Sequence, residues 1–104
     1  MSHSFRALVV ACTVLAVPEI AAAAADRAQF DAAMTAATAA EARAGAAHNQ
    51  WTSTEDALKA AHDDAAKGAF DDGVREARLA EAMAEQSIKQ AHEQATLWHA
   101  AVVR

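Results

Sequence analysis

The chain has 104 residues, 54% of them hydrophobic, with nine basic and fourteen acidic side chains and a formal net charge of −5. That size suits one small domain. An acid excess with no basic stripe argues against nucleic acid or an anionic membrane surface as a partner.

The N-terminus reads as a targeting segment. Met1 to Arg6 carries one positive charge and no acid, Ala7 to Val17 is an unbroken apolar or small run, and Pro18 breaks it. Ala21 to Ala25 then offers the small residues that signal peptidase accepts. The apolar run is too short to anchor a bilayer-spanning helix. Residues 1–25 are therefore expected to be a cleaved signal peptide, and the protein is expected in the periplasm. The only cysteine, Cys12, lies inside the run, where Val9-Val10-Ala11-Cys12 loosely resembles a lipoprotein box. Lipidation there would be the one route to a membrane. With ordinary cleavage the mature protein has no thiol, no disulfide and no C-x-x-C-H site for c-type haem.

Removing 25 of the 104 residues leaves 79, of which 25 are alanine. Alanine favours helix and buries little side chain, so the expectation is an all-α domain over 26–104 with a thin core. The pattern predicts a three-helix arrangement, with an antiparallel helical hairpin and a long C-terminal helix.

The first helix is expected from about Arg27 to Ala47, with Phe30, Ala33/Met34, Ala37 and Ala44 at helical spacing. Gly45 and His48-Asn49-Gln50 are expected to end it. A second helix begins at Thr52-Ser53-Thr54-Glu55-Asp56, where Thr52 with Glu55, or Ser53 with Asp56, resembles a capping box. Its buried face is marked by Leu58, Ala61 and Ala65. Lys67 and Gly68 close it, the glycine suited to a left-handed cap. The third helix starts near Phe70-Asp71-Asp72 and has no break before Val103. Its stripe is Val74, Ala77, Ala84, Ile88, Ala91, Ala95, Trp98 and Val102, with Leu79 and Met83 on the shoulder. Phe30-Asp31 and Phe70-Asp71 also form a weak echo forty residues apart.

Chemistry finds little purchase. His92 and His99, seven apart on a helix, stand about 10 Å from one another, too far to chelate one ion. Asp63-Asp64 and Asp71-Asp72 flank a tight turn that offers no cleft for acid–base work, and Asp71-Asp72 suits a helix N-terminus. Ser53 and Thr54 lack any nucleophile elbow. No catalytic residue, cofactor site or metal site is assigned, and the protein is not expected to be an enzyme.

The stretch from Trp51 onward resembles the small periplasmic SoxXA-binding proteins, the SoxK type, of sulfur-oxidising bacteria. The resemblance rests on Trp51-Thr52-Ser53-Thr54, on Ala57-Leu58-Lys59-Ala60-Ala61 and on the turn Gly68-Ala69-Phe70-Asp71. In the long helix it continues through Val74, Ala77, Ala80, Glu85-Gln86 and Gln90-Ala91. It covers about fifty of the residues well. The family pattern has basic and acidic residues between tryptophan and threonine, where this chain has Thr52-Ser53. The resemblance implies a non-catalytic accessory protein for SoxXA, a periplasmic c-type cytochrome of thiosulfate oxidation, with haem and catalysis in the partner. The Gly-x-Phe-Asp turn also resembles a tetratricopeptide turn, which implies a generic envelope scaffold or lipoprotein. A b-type haem bundle like cytochrome b562 would use His92 with Met34 or Met83.

Helix lengths point to a surface. A second helix of about fourteen residues covers the third only from Phe70 to about Glu85, and the first helix covers much the same part. Beyond Gln86 the third helix should project, yet it keeps an apolar stripe. Ile88, Ala91, Ala95, Trp98 and Val102 are therefore the candidate partner-binding residues, with Ile88 and Trp98 as anchors. Self-association through the same stripe is the rival. Trp51, Gly68 and Phe70 are expected to hold the hairpin.

Overall fold

The structure, a computed structural model, describes residues 24–102. The expected signal peptide, with Cys12, lies outside the described residues except for Ala24 and Ala25. Three helices follow: α1, Arg27–Ala46; α2, Thr52–Ala66; and α3, Phe70–Ala101. No strand occurs among the described residues.

Each boundary has a local cause. Asp26 caps α1 through a capping box: its carboxylate accepts from the Gln29 backbone N–H, and the Gln29 side chain accepts from the Asp26 backbone N–H. The box expected at the start of α2 is absent. Trp51, in extended conformation, is the N-cap there and has no side-chain cap bond. Its carbonyl accepts from Thr54 and Glu55, so Thr52 and Ser53 are already inside the first turn. Thr54 in turn is fully buried and faces the core.

Both α1 and α2 end in the same six-residue hydrogen-bond pattern. Asn49 N–H donates to Ala44 and His48 N–H to Gly45; likewise Ala69 donates to Asp64 and Gly68 to Ala65. The left-handed residue is Gly68 in the second case (φ 76) and His48 in the first (φ 55). Gly45, expected to stop α1, lies within it. A Cβ there would meet the Gln50 amide at 2.7 Å, so its role is to let Gln50 fold back over the helix end.

Packing is organised around α3. Helices α1 and α2 both lie along it and touch one another little. The fully covered face of α3 is Gly73, Ala77, Ala80, Ala84 and Ser87, spaced four, three, four, three. Residues this small let neighbouring helices come close. Larger side chains fill the margins. Phe30 and Met34 of α1 are buried with Ala37, Ala57, Ala61, Ala65, Ala77 and Ala80, and Leu58, Phe70, Val74 and Met83 pack against that cluster. A smaller cluster of Ala40, Ala44 and Ala84 carries Ile88 at its edge. The Phe30 and Phe70 rings meet at 6.2 Å, so the two echoed Phe-Asp pairs come together at one end.

Phe30 has a specific seat. A Cβ on Gly73 would come within 2.9 Å of its Cδ2 and 3.3 Å of the Ala61 carbonyl oxygen. Glycine within a helix costs up to about 1 kcal/mol relative to alanine, and Gly73 is the fourth residue of α3. The ring takes the space that this cost opens.

Candidate partner-binding surface

The surface is the part of α3 that neither neighbour covers. Its lower limit is set by the α1–α2 connection, where the Asn49 side-chain amide donates to the Ser87 carbonyl at 2.7 Å. Ser87 is fully buried, and its hydroxyl donates to the Ala84 carbonyl at 2.7 Å. Cover therefore extends past Gln86, through Ser87 and Ile88 to Ala91, which is half-buried. From His92 to Val102 every residue is exposed. The projection is three turns, shorter than the four expected, because the capped end of α1 and Asn49 reach one turn farther along α3.

The five candidate residues divide at this limit. Ile88 is half-buried on Ala40, Ala44 and Ala84, so it belongs mainly to the bundle, not to a free anchor position. Ala91 sits at the margin. Ala95 is exposed, as are Trp98 at 64% and Val102 at 48%. At roughly 100° per residue, Ala91, Ala95, Trp98 and Val102 all fall within about 40° of the direction of Ala84. The exposed stripe is thus the same face that is buried lower down, continued beyond its cover. The Trp98 ring packs edge-on against His99 at 5.7 Å and, among the described residues, on no other aromatic ring.

Leu97, 68% exposed, is a further large apolar residue that the stripe did not include. It lies about 140° from the seam direction. With His92, Glu93 and Thr96 it lines a shallow open groove on the other side of the projection. Only its residue type signals it, because it falls outside the periodic pattern. Leu79, at 51%, is similarly exposed on the bundle itself.

The residues expected to hold the hairpin contribute unequally. Gly68 adopts the left-handed turn. Phe70 packs on the core and carries the Arg27 guanidinium over its ring at 5.2 Å. Trp51 is half-buried and belongs to neither apolar cluster; its carbonyl, as the N-cap of α2, is what the hairpin uses. Asp71 and Asp72 stand in the first turn of α3, where Asp71 accepts from the Ala25 backbone N–H and Asp72 pairs with Arg75.

Electrostatically the projection is nearly bare. Between Gln86 and Val102 the charged residues are Lys89 and Glu93, which pair with each other at 3.9 Å. No group of three metal-ligating side chains occurs among the described residues. His92 lies on the projection, whereas Met34 is in the lower core and Met83 packs on it, so the residues of the haem-bundle reading do not converge. None of the described helices is long and apolar enough to cross a membrane. No protein-family model matches the chain, and no curated protein or solved structure is significantly similar to it.

Proposed function

We propose that the protein is an exported, non-catalytic accessory protein that docks on a protein partner through the C-terminal projection of α3. The observation that carries this reading is the apolar face continued past its cover, with Trp98 at 64% exposure and Val102 at 48%. A projecting helix in water is ordinarily polar all round, and an apolar stripe on one suits helix-in-groove recognition. Tryptophan is the residue type most enriched among interface hot spots. Its two immediate companions, Ala95 and Val102, leave it standing above its surroundings, as an anchor must.

The identity of the partner rests on the resemblance to the SoxXA-binding proteins, carried by Trp51-Thr52, Gly68-Ala69-Phe70-Asp71 and the alanine-rich long helix. On that ground the partner is SoxXA, the haem and the catalysis belong to it, and the setting is periplasmic thiosulfate oxidation. The test is binding of the purified protein to purified SoxXA, with the cytochrome's activity measured alongside. Binding at micromolar concentration and a higher SoxXA activity are expected, with no activity from this protein alone. No binding at that concentration overturns the SoxXA assignment and leaves a scaffold of other partnership.

A further inference from the structure

Glu41 is the one acidic side chain among the described residues that is buried, at 8% exposure, and it points from α1 into the region where α1 meets the start of α2. Neither of its carboxylate oxygens has a hydrogen-bond partner among the described residues. It takes part in none of the ion pairs among the described residues. A buried carboxylate without a donor costs far more in its ionised form than in its neutral one.

The surroundings sharpen this. From α2 the charge that acts on it is Glu55, of the same sign. From α3 the residues packed at this level are Ala84 and Ile88, with buried Ser87 between them, all uncharged. The nearby α3 acid, Glu85, is engaged with Arg43 of α1 at 3.8 Å, on the exposed surface. From the α1–α2 connection, the Gln50 amide donates to the Glu41 backbone carbonyl at 3.4 Å and leaves the carboxylate unattended. His48 in the same connection is exposed. Thr54, fully buried at the start of α2, also has a hydroxyl with no partner among the described residues. Helices α1 and α2 have little else to join them.

We propose that Glu41 is a proton-operated latch: uncharged, it closes the seam between α1 and α2, and ionised, it loosens the end of α1 and the connection that follows. Burial first, and then repulsion from Glu55, raise its pKa from the ordinary glutamate value. The folded state therefore holds this proton more tightly than the unfolded chain. The stabilisation is fully present below the ordinary glutamate pKa and is lost as pH rises through the raised folded value. That is the reverse of ordinary acid denaturation. Because Asn49 ties the same connection to Ser87, loosening is felt where cover of α3 ends.

The test is urea unfolding of the purified protein at about pH 5 and about pH 7.5, as wild type and as Glu41→Gln, Glu55→Gln and Glu93→Gln. Glu93 is exposed on the projection and controls for loss of one negative charge. Glu41→Gln should raise the midpoint at the higher pH by on the order of 0.5 M and shrink the difference between the two pH values. Glu55→Gln should shrink it in part, and Glu93→Gln should leave it near wild type. A Glu41→Gln protein that keeps the wild-type pH difference, unfolds earlier at both pH values or fails to fold overturns the proposal. So does a Glu93→Gln protein with the same effect as Glu41→Gln.

Discussion

His48 and Gly68 occupy the same position in two copies of one helix-ending motif, and only one of them is suited to it. A left-handed backbone costs an ordinary L-residue roughly 1–2 kcal/mol, part of which glycine gives back through its freer unfolded chain. His48→Gly should therefore stabilise the protein by about 0.5–1 kcal/mol, read as a higher urea midpoint with an unchanged slope. Gly73 presents the opposite case. Alanine is the better helix former, but here its methyl group would strike the Phe30 ring and approach the Ala61 carbonyl. Gly73→Ala should destabilise by about 1–2 kcal/mol net, since overpacking outweighs the gain in propensity. Gly68 was legible from its neighbours, because lysine, then glycine, then an aromatic and an acid spell one helix ending and another beginning. His48 was not, since nothing local in His48-Asn49-Gln50 says which residue turns left-handed. Gly73 was illegible for a different reason: its purpose lies in a ring from another helix.

Among the elements, α3 organises the molecule because its covered face is made of residues too small to hold neighbours away. Spacings of four and three carry that face from Gly73 to Ser87 and on, through Ala91, Ala95, Trp98 and Val102, into solvent. Periodicity made the stripe readable in the sequence, and helix lengths made the projection readable. Where cover stops was less so. Ile88 was expected to be free, but the hydrogen bond from Asn49 to Ser87 and the Ala40–Ala44 cluster bring the bundle up to it. That depends on a side-chain reach across 38 residues, which no local pattern encodes. Since Trp98 lies beyond the cover, Trp98→Ala should leave helicity unchanged and the unfolding free energy within about 0.5 kcal/mol of wild type. Circular dichroism during thermal and urea unfolding checks this.

At the scale of the whole molecule, a short alanine-rich bundle carries a helix end on which Leu97, Trp98 and Val102 are exposed. Each buried methyl group contributes about 0.8 kcal/mol, so a core built mostly of alanine is a modest one. The largest aromatic side chain of α3, Trp98, is spent outside it. The acids that give the chain its charge lie mainly on the bundle, while the one acid of the projection, Glu93, pairs with Lys89 just below it. On the proposed reading, a partner would meet an apolar tip with few charged residues on an acidic body, and would need an apolar groove more than a basic one. The most direct measurement of this account is the affinity of Trp98→Ala for SoxXA, set beside wild type in the same titration. The account predicts binding weaker by roughly tenfold or more from a protein that is as stable as wild type. Unchanged affinity, or a variant that has lost its fold, would contradict it.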